Sequence, residues 1–379
     1  MNFKKIIPLI LIGILAGCAA NKPAQAPTKK VAKAPVILTT KQKIAKQVGK
    51  MSLDEKIGQL FVTEVSNDSQ RVKKDIQRYH FGGILLMGNN FVGNRQTFKH
   101  RLSSYQKSAS LPLLIATDQE GGTVSRLSDN PHISGHSNYL SPQAAFNRGG
   151  MKAVLSNYRH QADNLKNLGI NWNLAPVADV SKQPDNFIYD RTLGKGYQAT
   201  AKYISASVKA IQDRKIATSV KHFPGYGAAA DTHTGTATVN KSLAEFKRTD
   251  FVPFEAAIKA GADSIMVTHI ILNKVDPRRP ASLSKKDISI LRNDLKYSGV
   301  IASDSLQMGA VSDYANKYHI SRDVVAFEAG NDILLSNDYQ NGISEIKRAV
   351  KQNKISMNQL DRSVERILYM KHKIGLKIS

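Results

Sequence analysis

Asp231 and His233 stand two residues apart on a stretch that opens with Lys221-His222-Phe223-Pro224-Gly225-Tyr226-Gly227. An Asp beside a His is a proton-transfer pair, because the carboxylate fixes the imidazole tautomer and raises its basicity. Asp-x-His by itself is common in polar loops and assigns nothing. Here its surroundings give it weight. Ile216-Ala217-Thr218-Ser219-Val220 is a short β-branched run of strand type, it ends in the basic pair Lys221-His222, and the chain then breaks at Pro224, Gly225 and Gly227. A strand therefore delivers Lys221 and His222 at its C-terminal end, and a glycine-bearing loop carries Asp231 and His233.

Such a strand needs a sheet around it. Short apolar runs recur at 59–65, 82–87, 111–117, 169–180, 216–223, 263–270, 299–305 and 332–336. Segments with helical spacing lie between most of them, such as 199–212 and 243–260, and a last one covers 357–373. Near-continuous apolar strands alternating with amphipathic helices predict a parallel sheet buried on both faces. Eight such units fit an α/β fold of the TIM type, a (β/α)8 barrel. A doubly wound open sheet is the alternative, but no G-x-G-x-x-G opens a helix after the first strand. Ser52-Leu53-Asp54-Glu55 has the form of a capping box and predicts a helix ahead of the first strand.

In a barrel of this kind chemistry sits where the strands end. The third run ends in Thr117-Asp118-Gln119-Glu120-Gly121-Gly122 and the fourth holds Asn171-Trp172-Asn173 and Asp179, with Asp190-Arg191 beyond. The fifth gives Lys221-His222, the sixth Thr268-His269 and the seventh Ser303-Asp304-Ser305. One Asp at a strand end is usually a helix cap. Asp, Lys and His presented together from several strand ends instead describe a pocket of hydrogen-bonding groups for a polyhydroxylated ligand. Asp179 and Glu120 read as structural, and Trp172, the only tryptophan, as core rather than a stacking platform. No Cys/His cluster has metal-ligand spacing, so neither metal nor cofactor is expected.

The start of the chain is an address. Met1-Asn2-Phe3-Lys4-Lys5 is positive, Ile6–Leu15 is apolar, and Leu15-Ala16-Gly17-Cys18 closes the segment. This is the layout of an export signal over residues 1–17, too short to span a membrane as a helix. Leu-Ala-Gly-Cys also resembles a bacterial lipobox, with Cys18, the only cysteine, as the lipidated mature N-terminus. Residues 18–50 read as a tether rich in Lys, Pro and Ala without an acidic residue, and residues 51–379 as the barrel. The 379 residues hold 54 Lys+Arg against 30 Asp+Glu, a formal charge of +24. For an exported lipoprotein that charge points to anionic lipid headgroups and envelope polymers rather than nucleic acid. A monomer is the default expectation.

Several of these stretches together resemble glycoside hydrolase family 3, in its single-domain β-N-acetylglucosaminidase branch. They are Met51–Phe61, Asp118-Gln-Glu-Gly-Gly122 with Arg126, Ala175-Pro-Val-Ala-Asp179, Lys221-His-Phe-Pro-Gly225 with Asp231-Thr-His233, and Ser303-Asp304 with Met308. The resemblance implies a retaining mechanism with Asp304 as nucleophile and His233, oriented by Asp231, as general acid/base. It implies that Asp118, Arg126, Arg191, Lys221 and His222 hold the sugar in the −1 subsite. The implied substrate is a glycan or muropeptide bearing terminal β-linked N-acetylglucosamine.

The chain departs from the branch in places. Members commonly read Pro-Gly-His-Gly and Asp-Ser-His, where this chain has Tyr226 and Thr232; the loop is one residue shorter, and Thr123 replaces a usual Arg. His269 and Glu120 compete with His233 for the acid role. Rival functions are phosphorolysis, which a histidine acid/base tolerates better than a carboxylate would, and β-glucosidase or β-xylosidase specificity. A non-catalytic, wall-polymer-binding lipoprotein is the rival of another class.

Overall fold

Each of the eight apolar runs contains a strand of one parallel sheet. The computed structural model describes residues 38–227, 229–233 and 235–378. The strands are β1 Phe61–Glu64, β2 Gly83–Leu86, β3 Leu114–Thr117, β4 Trp172–Asn173, β5 Ala217–Phe223, β6 Ser264–Val267, β7 Val300–Ser303 and β8 Leu334–Leu335. β1 to β7 pair in parallel in sequence order, and β1 also pairs in parallel with β8, Phe61 opposite Leu334. A parallel bridge between Ala302 and Ile333 joins β7 to β8 and closes the ring. This is the (β/α)8 barrel, and it accounts for the apolar runs: β2, β3, β6 and β7 are buried at every position. Trp172 is fully buried on β4, its indole N–H donating to Ser264 Oγ at 3.2 Å, so the ring is core.

The run at 169–180 shrinks to two residues of strand. Pro176 has no N–H to give the ladder, and beyond Asn173 only a bridge between Val177 and Lys221 remains. The helix Leu53–Gln59 starts at the expected capping box, Ser52 and Glu55 each bonding the other's backbone N–H.

The folded body begins earlier than residue 51. Thr39 caps a helix, Thr40–Val48, whose Ile44 and Val48, spaced i and i+4, are buried. It packs against the last helix, Met357–Lys373. The part of the tether reading that covers this helix is therefore corrected: the Lys-rich stretch hides one apolar stripe. The export signal, Cys18 and the tether up to residue 37 lie outside the described residues. Among the described residues no helix is long and apolar enough to cross a membrane.

Lys371 on the last helix is fully buried, and its ammonium donates to Gln59 Oε1 at 2.7 Å. Burial without a countercharge pushes the group down to about 7 from 10.5. Between those two values the unfolded chain binds more protons than the folded one. Stability therefore rises with pH across this window, and the penalty is fully present below it. Lys371→Met should stabilise the protein by about 1–4 kcal/mol near neutral pH, the gain shrinking toward pH 10. Thermal melts at several pH values check this; a constant gap between the two proteins would contradict it.

Candidate active site

The site is built on the end of β5. Its pairing register with β6 shifts between Val220 and Phe223, and across this irregularity the consecutive Lys221 and His222 both reach the polar cluster at the barrel mouth. Lys221 Nζ donates to Asp118 Oδ1 at 2.6 Å and lies 2.8 Å from Glu120 Oε1. Arg191 grips the same Glu120 with two bonds, Nε to Oε2 at 2.9 Å and Nη2 to Oε1 at 2.8 Å. Its Nη2 also reaches His222 Nε2 at 3.2 Å. His222 Nδ1 meets Asp179 Oδ2 at 2.7 Å. Arginine can only donate, so Nε2 is the accepting side of the Arg191 contact and Nδ1 faces the Asp179 carboxylate.

Asp118, Lys221, His222 and Arg191 thus meet in one connected cluster. Glu120 and Asp179, read from sequence as structural, are its hidden members. Glu120 is fully buried; burial pushes its carboxyl up, but Lys221 and Arg191 outweigh this and hold it far below the ordinary range. The sequence carried one usable signal, since Asp118 and Glu120 are two apart at a strand end and so share a side. Glu120→Gln should take the countercharge from Arg191, leave Lys221 with Asp118 alone, and cost roughly 3–5 kcal/mol of stability. Denaturant unfolding measures it; a wild-type midpoint would contradict the account.

Beyond β3 the chain turns back in a small hairpin, Gln119–Gly121 against Val124–Ser125. Gly121 and Gly122 have φ of +91° and +66°, and a Cβ on Gly121 would lie 2.1 Å from the Leu140 carbonyl. Only glycine fits there. The hairpin returns Arg126 to the neighbourhood of Gly88, just past β2, with its buried Nε lacking a protein partner among the described residues.

Asp304 follows β7 directly. Its N–H donates to the Val267 carbonyl at 2.9 Å, and its Oδ1 accepts from the Ser305 N–H at 2.8 Å. Burial pushes this carboxyl up, but His269, His222, the Ser305 N–H and Lys221 together hold it below the ordinary aspartate value. It is a carboxylate at neutral pH, as a nucleophile must be. His269 is fully buried, Nε2 lying 2.9 Å from the Ser305 carbonyl and Nδ1 2.7 Å from Ser282 Oγ. Burial depresses its pKa, against the pull of Asp304. With both ring nitrogens engaged it has no free position for proton transfer, and Glu120 has both oxygens bound.

The dyad forms. His233 Nδ1 lies 2.6 Å from Asp231 Oδ1, which also accepts the His233 N–H at 3.0 Å. Burial raises the Asp231 carboxyl, but these two bonds and the His233 charge more than offset it, so the carboxylate stays ionised. This pairing directs Nδ1–H at the carboxylate and leaves Nε2 for proton transfer. The His233 side chain is 60% exposed, unlike every other member of the site. Its loop rests on the helix Gly309–Tyr318 just after Asp304: Gly309 N–H donates to the His233 carbonyl and Ala310 N–H to that of Thr232, both at 3.3 Å. The return leg, Thr238–Val239, pairs with Ile271–Leu272 beyond β6. Among the described residues no group of three or more His, Cys, Asp or Glu is arranged to hold a metal ion.

Residues 52–370 match the model of the glycosyl hydrolase family 3 N-terminal domain. The chain belongs to glycosyl hydrolase family 3. Beta-hexosaminidase A of Pseudoalteromonas piscicida is 31% identical over 79% of this chain and 54% of its own length. Beta-hexosaminidase LpqI of Mycobacterium tuberculosis is 29% identical over 85% of this chain and 83% of its own. Among solved structures, a family 3 beta-N-acetylglucosaminidase from Paenibacillus sp. str. FPU-7 aligns with a TM-score of 0.78 at 30% identity, over 87% of this chain and 64% of that one. The chain thus spans little more than half of the first relative but most of the second. The family match covers the strand ends that carry Asp118, Lys221, His222 and Asp304.

Proposed function

We propose that the protein is a retaining β-N-acetylhexosaminidase that removes terminal, non-reducing β-linked N-acetylglucosamine from peptidoglycan fragments or related oligosaccharides. The observation that carries this reading is the Asp231/His233 pair, held on the helix that follows an ionised Asp304. In the first step Asp304 attacks the anomeric carbon while His233, as imidazolium, gives its Nε2 proton to the leaving oxygen. In the second, neutral His233 takes a proton from water, which attacks the same carbon and releases Asp304. Asp118, Arg126, Arg191, Lys221 and His222 hold the sugar hydroxyls. The bonds that join Asp118, Lys221, Arg191 and His222 through Glu120 and Asp179 fix these four before substrate arrives, which is what makes such a site effective. The names of the hexosaminidase relatives support the choice of sugar.

We place the enzyme outside the cytoplasmic membrane, tethered through lipidated Cys18, with the +24 charge drawing it to anionic envelope polymers. An uncharacterised secreted glycosyl hydrolase of Arthroderma benhamiae, 32% identical over 78% of this chain, supports an exported location. The test is purified protein with an aryl β-N-acetylglucosaminide and an aryl β-glucoside, each with and without phosphate. Release from the first alone, indifferent to phosphate, is the expected result. Phosphate-dependent release of a sugar 1-phosphate would overturn hydrolysis, and preference for the glucoside would overturn the specificity.

A further inference from the structure

The acid/base loop is fastened to the sugar-binding cluster by a buried hydroxyl pair. Tyr226 and Thr232 are almost wholly buried, 1% and 0% exposed, although they flank the exposed end of the loop. The Tyr226 hydroxyl bonds the Thr232 hydroxyl, and Thr232 is the residue between Asp231 and His233. At its other end Tyr226 is held by the cluster: its N–H donates to Asp179 Oδ1 at 2.8 Å. Its ring stands edge-on to His222 at 5.2 Å and to Phe187 at 4.9 Å. Asp179 carries His222 on its other oxygen. Thr232 is in turn bonded through its carbonyl to Ala310. Gly309 lets the loop come this close, since a Cβ there would meet the His233 carbonyl at 2.8 Å.

We propose that Tyr226 is a positioning residue for His233: its hydroxyl and that of Thr232 form a latch that sets the reach of the acid/base toward the leaving oxygen and couples it to the Asp179–His222 pair. This rests on the hydrolase reading above. Two hydroxyls are needed, and Tyr226 and Thr232 supply one each. Burial and the nearby charge of Asp304 both push the phenol up, so the hydroxyl pair persists in mildly alkaline solution.

The experiment compares Tyr226→Phe, Thr232→Val, the double variant and Thr232→Ser on two N-acetylglucosaminides, one with an alkyl and one with a dinitrophenyl leaving group. Only the alkyl glycoside needs a proton from His233 to depart. Tyr226→Phe should lower kcat/KM about tenfold for the alkyl glycoside and less than about twofold for the dinitrophenyl one. The double variant should be no worse than either single one, and Thr232→Ser should keep the wild-type rate. Hydrogen exchange at the Gly309 and Ala310 amides, which hold the loop, should speed up in Tyr226→Phe. Equal losses on both glycosides, additive single effects or unchanged exchange would each overturn the latch. If the wild type splits neither glycoside while exchange still rises in Tyr226→Phe, the loop anchoring stands and the hydrolase reading falls.

Discussion

Asp304→Asn lowers kcat on an aryl β-N-acetylglucosaminide by at least about 10⁴-fold, with thermal stability near that of the wild type. The amide keeps the shape of the side chain and still accepts the Ser305 N–H bond at Oδ1, so the fold has no reason to change. What disappears is the anionic oxygen that must bond to the anomeric carbon, and no neighbour can replace it. Glu120 has both oxygens bound to cations, and Asp179 is spent on His222 and Tyr226. A loss of this size corresponds to about 5 kcal/mol or more of barrier. Opening the site with Asp304→Gly and adding azide should restore turnover, now with an inverted glycosyl azide as product. An Asp304→Asn protein with wild-type activity would remove the nucleophile from the mechanism.

His233→Ala separates the two half-reactions. With a poor leaving group the first step loses its proton donor, and kcat/KM should fall by about 10²–10⁴-fold. With dinitrophenol the first step should run nearly unchanged, so the second step, which needs His233 as base, becomes limiting and a burst of phenol appears. The alkaline limb of the kcat/KM profile, which reports the acid losing its proton, should flatten in the variant. The side chain is largely exposed and its removal strands no buried partner, so stability should change little. A uniform loss on both leaving groups would place His233 outside proton transfer. Asp231→Asn should follow the same pattern more weakly, because it spoils the tautomer rather than deleting the ring.

What could be read from the sequence follows the range of the forces involved. The barrel was legible because each strand is buried on both faces and so announces itself as a short apolar run. All eight runs hold a strand. The dyad was legible because Asp231 and His233 are neighbours, and the pair meets as their spacing suggests. Less visible were partnerships made only by closing the ring. Glu120 finds Arg191 and Lys221, and Asp179 finds His222, across long stretches of chain. Nothing local tells Asp179 from a helix cap, and for Glu120 the one local sign is its two-residue spacing from Asp118. The helix Thr40–Val48 was missed for another reason: its composition is that of a linker, and its one apolar stripe is two residues long. Tyr226 looked like a departure from pattern, and its meaning depends on Thr232 lying beneath the same loop.

The central claim is a covalent bond between sugar and Asp304, and trapping it is the most direct test. The purified protein is incubated with a 5-fluoro-N-acetylglucosaminyl fluoride, digested and analysed by mass spectrometry, with the anomer formed from natural substrate followed by NMR. The account predicts one added sugar on the peptide containing Asp304 and first release of the β-anomer. Retention without any adduct would hand the nucleophile's role to the substrate's own acetamide. An adduct on another carboxylate, or first release of the α-anomer, would contradict the assignment of Asp304.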